Sequence, residues 1–454
     1  MKYYEFHDKR KHTKEKKRNK VVKILSGIFL IVAVGIFWGF VLAPKSVVVE
    51  KISPISDPVI SPVIENHLGE VLTSRLEDAF THDAIAALMS QTLPSEQLVK
   101  PYYAVNRYVI TFKSTDEKGE PITITTQYFI PSVTEETEFP LYVFGSGTTG
   151  IGDICAPSNE VPEEANWANY RAHMLAYASQ GYIVVFPDYE GFNNPQRVHH
   201  YFNAEMESKV LLDAARSLYK FSEGELLHAK PTSAIFLAGF SQGGHAAIAA
   251  KDYAPVYAPE LTIRGIVSYA PASNVEALLR EAPALAPYIL YTYADLYGKD
   301  VIDPLSVLNE KWTGTLEQDV TNLCVDRIYN YYGSDATQIY SPAFHDVLFT
   351  GKLAVEYPAF SERLSKNYVG MEASTIPQLI LQGDSDTIVS AQTVKDVTRK
   401  LCASGNPVIY NEYPNTNHFT VRQNSFKDSL LWMQNIRKGK SPDSNCKNLF
   451  EVAN

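Results

Sequence analysis

Residues 235–250 read Ile-Phe-Leu-Ala-Gly-Phe-Ser-Gln-Gly-Gly-His-Ala-Ala-Ile-Ala-Ala, and few folds can accommodate that order. The leading apolar run fits a strand buried on both faces. The alanines fit a helix lying close against a sheet. Between them, Gly239-Phe240-Ser241-Gln242-Gly243 demands a turn so sharp that the residues two before and two after the serine must lack bulk. Ser241 is therefore the candidate nucleophile, presented above the N-terminus of a helix. The positive end of that helix and the Gln242 N–H are placed to stabilise an oxyanion. The pentapeptide alone arises by chance, and an ordinary turn serine is the alternative. The strand–turn–helix context argues against it.

A reactive serine needs a base, and the base needs a carboxylate to orient it. On a sheet of this kind the acid and the histidine follow the serine in that order. Downstream, Pro377-Gln378-Leu379-Ile380-Leu381-Gln382-Gly383 predicts a strand that ends in Asp384-Ser385-Asp386. Both aspartates compete for the role. Asp386, third after Gly383 and followed by the apolar pair Ile388-Val389, is preferred, leaving Asp384 to cap the turn. After the next strand comes Tyr413-Pro414-Asn415-Thr416-Asn417-His418, a polar loop opening a helix. Of the 11 histidines, His418 alone occupies a loop after the last strand, which makes it the candidate base. His245, on the nucleophile helix, is expected to serve packing or a minor polar contact. A second oxyanion donor should come from the loop after the third strand, Gly145-Ser146-Gly147-Thr148-Thr149-Gly150, with the Thr148 N–H as candidate and a merely flexible loop as the alternative.

The surrounding pattern alternates strand and helix. Strands are predicted at 105–113, 122–130, 141–145, 182–186, 234–238, 263–269, 377–382 and 407–412. Helices are predicted at 69–90, 164–180, 203–220, 242–252, 391–403 and 420–437. This is an α/β arrangement with a mostly parallel sheet and a hairpin at its start. The rhythm breaks at about 271–375, a helical, tyrosine-rich stretch (Tyr288, Tyr291, Tyr293, Tyr297) inserted on the side of the sheet where ligands bind. It is expected to pack its own small core and to cap the site. The catalytic domain is taken as 66–454. The chain's 28 tyrosines suit a surface or cleft that meets both water and apolar ligands.

Charge is unevenly placed. Residues 1–20 hold nine Lys/Arg against three Asp/Glu, so a basic head of +6 precedes a remainder carrying −16 within the overall −10. The acidic body gives no electrostatic reason to bind nucleic acid. Residues 24–43 contain no charge and would span about 30 Å as a helix, a hydrocarbon thickness. Residues 21–43 are accordingly expected to anchor the chain, with the basic head inside and the body exported, followed by a Pro-rich linker at 44–65. A signal peptide cut after Ala43 is the alternative, although Pro44 would follow the cut. Four cysteines suit export and allow three pairings. The sequence has no His-x-x-x-His or Cys-x-x-Cys spacing and no lysine-bearing phosphate loop, so neither metal nor cofactor is expected.

With these residues in place the chain resembles the secretory lipase family of the α/β-hydrolase superfamily. The likeness rests on Gly147-Thr148-Thr149-Gly150 with Cys155-Ala156-Pro157-Ser158, on Gly181-Tyr182 through Pro187-Asp188-Tyr189-Glu190-Gly191, on Gly239 to Gly244, on Gly383 to Asp386, and on Leu401 to Gly405 before His418. It covers roughly residues 90–450. The resemblance implies an α/β-hydrolase fold with a helical lid before the acid-bearing strand, and hydrolysis of acyl esters through an acyl-enzyme. It also implies disulfides Cys155–Cys324 and Cys402–Cys446. A serine peptidase on the same fold is the alternative, and an inactive binding module a more remote one.

Overall fold

The computed structural model describes residues 67–161, 166–225, 227–440 and 442–450. The basic head, the apolar segment 21–43 and the linker expected at 44–65 lie outside the described residues. Among the described residues no helix is long and apolar enough to cross a membrane.

Nine strands form one sheet in the order β1-β2-β3-β5-β4-β6-β7-β8-β9. β1 (Val71–Phe80), β2 (Ala104–Thr115) and β3 (Pro121–Ser132) run antiparallel, and β3 is antiparallel to β5 (Ile183–Pro187). From β5 onward every pairing is parallel, through β4 (Thr137–Gly145), β6 (Ala229–Phe240), β7 (Thr262–Tyr269), β8 (Gln378–Gly383) and β9 (Val408–Tyr413). The continuous apolar runs sit where both faces are covered. Ile183 to Phe186 in β5 and Ile235 to Ala238 in β6 are all buried, as parallel strands between helices must be. The body helices used below are α1 (His82–Thr92), α2 (Tyr170–Ala178), α3 (Ala204–Gly224) and α4 (Gln242–Tyr257).

The helix predicted over 69–90 is a strand followed by a helix: β1 and then α1, which Thr81 caps by accepting the Ala84 N–H at 3.2 Å. Two register shifts, at Val71/Thr73 and Leu76/Asp78, interrupt the ladder with β2. Each shift reverses the in–out phase, so the strand never shows a sustained alternation. Leu72 and Leu76, which helped suggest an apolar helical face, lie exposed at 44% and 54%. Backbone pairing to β2, rather than burial of one face, holds this edge.

Between β7 and β8 the chain forms short helices, including α5 (Ala286–Tyr297), α6 (Val325–Tyr332) and α7 (Pro358–Lys366). Their buried side chains, among them Ile328, Phe344 and Phe360, join the main hydrophobic core. Covalent and polar links fasten this insertion to the body. Cys155–Cys324 is a disulfide, the Val325 N–H donates to the Thr149 carbonyl at 2.8 Å, and His200 lies 3.3 Å from Asp295 on α5. The second disulfide, Cys402–Cys446, ties the C-terminal segment to the helix Ala391–Ala403.

His200 also lies 3.3 Å from the buried Glu190. Burial alone would push its imidazole down. The partners Asp295 and Glu190 outweigh burial and raise it to about 10. A raised pKa in the folded state stabilises fully below the ordinary 6.5 and is lost as pH climbs through about 10. The melting temperature of wild type should therefore exceed that of His200→Gln most below pH 6.5, and the two curves should converge toward pH 10. A gap that is constant across that range would show that the ion pair does not hold the insertion.

Candidate active site

Ser241 stands between β6 and α4 with φ 54° and ψ −111°, a left-handed conformation that costs a non-glycine residue on the order of 1–3 kcal/mol. The surrounding backbone enforces it. The Ser241 N–H donates to the Tyr269 carbonyl at 2.9 Å, and its own carbonyl accepts from Ala272 and His245 at 3.1 Å each. A Cβ on Gly239 would sit 1.9 Å from the Gly243 carbonyl oxygen, and one on Gly243 would sit 1.9 Å from that of Gly145. Glycine at these positions is thus a steric requirement of the turn.

Asp386 and His418 are brought together from the loops after β8 and β9. The His418 Nδ1 lies 2.7 Å from Asp386 Oδ2, with both side chains nearly inaccessible. The other carboxylate oxygen accepts the N–H groups of Ile388 and Val389 at 2.9 Å each, and the buried Gln382 amide donates to Oδ2 at 3.1 Å. Three donors thus hold the carboxylate toward the imidazole, which suits a charge taken out of water. Asp384 is turned away and accepts only the Ser385 hydroxyl, at 2.8 Å, among the described residues. The ring of Phe240, the residue before the serine, packs on His418 with centroids 4.7 Å apart. That contact joins the serine turn to the histidine loop. Ser241, Asp386 and His418 are 6%, 7% and 4% exposed, so each is largely withdrawn from water.

The loop after β4 is fastened by tyrosines. The Tyr170 hydroxyl accepts the Gly147 N–H at 2.7 Å, the Tyr189 hydroxyl donates to the Ser146 carbonyl at 2.8 Å, and Tyr201 bonds the Thr148 hydroxyl at 2.5 Å. Among the described residues neither the Thr148 amide nor the Gln242 amide is spent on a hydrogen bond. Both are free to donate to a ligand. Composition suggested that tyrosines serve a wet cleft. Here many of them, including Tyr142, Tyr177, Tyr189, Tyr201 and Tyr288, are fully buried, each filling core while its hydroxyl settles a polar partner. On α6, burial pushes the Tyr329 phenol up and the Asp386 carboxylate adds to the shift.

Behind the serine lies a polar cluster that sequence patterns did not single out. Gln242 Nε2 donates to Glu207 Oε1 at 2.8 Å and lies 2.6 Å from His199 Nε2, while His245 Nδ1 lies 2.6 Å from Glu207 Oε2. His245 therefore does more than pack. The available signal was Glu207 itself, a carboxylate in register with the apolar stripe Leu211, Ala214 and Leu218 of α3.

Metal-ligand side chains gather once among the described residues. Glu117, Glu190 and His200 bring ligand-type atoms within 4.8 Å of one another. Arg197 already occupies this ground, 3.2 Å from Glu190 and 2.5 Å from Asp116, and with His200 it supplies the positive charge that a cation would bring. A cleft of about 800 Å³ opens on the inserted helices beside Tyr291, Asp295, Lys299 and Glu317. Its lining includes none of Ser241, Asp386 and His418, so it carries no part of their chemistry.

Comparison with known proteins accords with this geometry. The chain is 22% identical over 418 residues to a secreted triacylglycerol lipase of Malassezia globosa, covering 87% of this chain and 83% of that protein. It is 24% identical to a probable inactive lipase of Mycobacterium tuberculosis, over 86% and 84% of the two chains. Among solved structures, a putative hydrolase of Legionella pneumophila superposes with TM-score 0.71 at 16% identity, over 82% of this chain and all of that one. The closed state of Candida antarctica lipase A superposes with TM-score 0.60 at 20% identity, over 86% and 88%. These likenesses show the α/β-hydrolase fold. Residues 170–445 match the secretory lipase family, and the chain belongs to that family of carboxylic ester hydrolases.

Proposed function

We propose that Ser241, His418 and Asp386 form a catalytic triad that cleaves acyl esters through an acyl-enzyme. The observation that supports this is the buried Asp386–His418 hydrogen bond, linked through the Phe240–His418 ring contact to a serine held in a strained turn. In the first half-reaction Asp386 fixes the imidazole with its Nδ1–H toward the carboxylate, leaving Nε2 to take the Ser241 proton. Ser241 Oγ then attacks the ester carbonyl. The resulting oxyanion is stabilised by the N–H groups of Gln242 and Thr148, which cost no reorganisation at the moment of reaction because they are already fixed. His418 returns the proton to the leaving alcohol, and water repeats the cycle to release the acid. The helices at 271–375 act as the cap. Their apolar and tyrosine side chains suit an acyl chain, which favours lipid esters over peptides.

The probable-inactive mycobacterial relative gives a specific reason to consider a silent hydrolase fold here. The presence of nucleophile, acid, base and free oxyanion amides argues for activity. Wild type should take up a fluorophosphonate probe and hydrolyse nitrophenyl acyl esters but not peptide anilides. Ser241→Ala should abolish labelling and lower kcat by about 10⁵-fold or more, and Asp386→Asn should lower it by about 10⁴-fold by favouring the wrong tautomer. Asp384→Asn should retain activity within a few tenths of wild type. Wild-type protein that stays unlabelled, or equal losses at 384 and 386, would remove the triad assignment.

Residues 24–43 are proposed to anchor the enzyme with its catalytic body on the exported side. The support is their uncharged length and the basic head before them. Full-length protein should stay with membranes through an alkaline wash and keep its original N-terminus. A released form beginning at or near Pro44 would replace the anchor with a cleaved signal.

A further inference from the structure

Glu207 is a carboxylate at 1% exposure on a helix face otherwise given to apolar packing. A group so expensive to bury is retained only when donors surround it. Three do: the Phe202 N–H at 3.1 Å, the Gln242 side-chain amide at 2.8 Å and the His245 ring at 2.6 Å.

The donors and acceptors here admit few proton arrangements. His199 Nδ1 faces the Glu190 carbonyl at 3.0 Å, which can only accept, so the proton sits on Nδ1 and Nε2 is a lone pair. Burial favours this neutral ring. Gln242 can then give one amide hydrogen to His199 Nε2 and the other to Glu207 Oε1, which fixes its amide orientation. His245 Nε2 faces the Asn367 carbonyl at 2.8 Å and must carry a hydrogen as well. A single further proton is left to lie between His245 Nδ1 and Glu207 Oε2. The pair is neutral as a unit, and removing either member strands the other.

Gln242 is the first residue of α4, and its N–H follows the strained Ser241 peptide. Its side chain ends on two acceptors from different parts of the fold, α3 and the segment after β5. Rotation of the 241–242 peptide would have to pull both bonds apart. We infer that Glu207 and His245 are positioning residues for the ester hydrolysis: through the Gln242 side chain they hold the Gln242 N–H where the oxyanion forms. Asn367 belongs to the same arrangement. Its carbonyl sets the His245 tautomer, its Oδ1 accepts the Ala204 N–H at 2.9 Å, and its Nδ2 donates to Tyr293 on α5 at 2.9 Å. The pair therefore braces the nucleophile helix from the side on which the cap is seated.

This inference rests on Ser241 being the nucleophile, and the test separates the two. The full-length enzyme is titrated with a fluorophosphonate, and kcat and KM for a soluble nitrophenyl ester are then expressed per labelled site. Glu207→Leu and Gln242→Leu should each lower kcat by about 10- to 100-fold while KM stays within about twofold, the mark of an interaction made in the transition state. The double variant should be no worse than the worse single one. Glu207→Gln keeps an oxygen for Gln242 and Phe202 and offers its amide to a neutral His245, so it should recover to within about threefold of wild type. Unchanged kcat per labelled site in Glu207→Leu, with only fewer sites or a lower melting temperature, would reduce the pair to a structural role. A Glu207→Gln variant as impaired as Glu207→Leu would overturn positioning by hydrogen bonds. Should Glu207→Leu fail to fold, Gln242→Leu decides, and normal kcat there rejects the inference. Failure of wild type to label would instead strike the triad.

Discussion

Ser241 can stand where it does because three backbones pass one another there without side chains between them. The ends of β4 and β6 pair Gly145 with Gly239, and the first turn of α4 lays Gly243 against both. A Cβ on Gly239 or Gly243 would meet a carbonyl oxygen at 1.9 Å, and one on Gly145 would meet the Tyr189 hydroxyl at 2.7 Å. The crossing aims the helix N-terminus at the serine and brings the loop after β4 alongside it. It also leaves the Thr148 and Gln242 amides unspent. The rest of the molecule maintains that approach: a parallel sheet that fixes the strand ends, and loops after β8 and β9 that bring Asp386 and His418 together.

Maintaining it requires polar groups in places that water does not reach. Asp386, Glu190, Glu207 and Asp188 are all almost fully buried, and each has hydrogen-bond donors or cations beside it. Asp188, for instance, accepts from the Ser158 N–H and hydroxyl and from Asn193. Burial still dominates there and pushes its carboxyl up to about 6, whereas the cations beside Glu190 win and hold that carboxyl below its usual range. The difference lies in the partners: neutral donors offset part of the desolvation cost, while a guanidinium and an imidazolium reverse it. The Pro-Asp-Tyr-Glu-Gly stretch contributes Asp188 to the Ser158 loop, Tyr189 to the loop after β4 and Glu190 to the His200–Asp295 contact with the insertion. Three consecutive residues thus brace three different neighbours of the site.

Much of this was legible in the sequence because it is local. A strand, a sharp turn and a helix must be contiguous, so residues 235–250 declare them together. The order of serine, acid and histidine reflects the order of the strands, and Asp386 is reached by counting from Gly383. What stayed hidden depends on partners distant in the chain. β1 reads as a helical face because two bulges erase its alternation, and only its ladder with β2 makes it a strand. Glu207 looks like one more charge on an amphipathic helix until His245 and Gln242 arrive 35–38 residues later. The tyrosines, counted as a composition, suggest a wet surface; their hydroxyl partners, such as Ser429 for Tyr177 across 252 residues, exist only after folding.

The placement of the fastenings bears on where substrate preference can vary. The insertion between β7 and β8 is fixed to the body at Cys155–Cys324, at Thr149–Val325, at His200–Asp295 and at Asn367. Two of these attach directly to the loop that follows β4 or to the segment just beyond it, and Asn367 attaches at the nucleophile helix. Moving the base of the insertion would therefore drag the loop after β4 and the first turn of α4 with it. Under the proposed reaction, the geometry that cleaves the bond is pinned to the sheet, and acyl-chain preference falls to side chains of the inserted short helices. On α5 and α6 the buried positions, such as Ile289, Leu290 and Ile328, belong to the main core, and Tyr288 and Tyr293 tie α5 to Leu323, Phe202 and Asn367, so variation is confined to the positions these helices leave exposed.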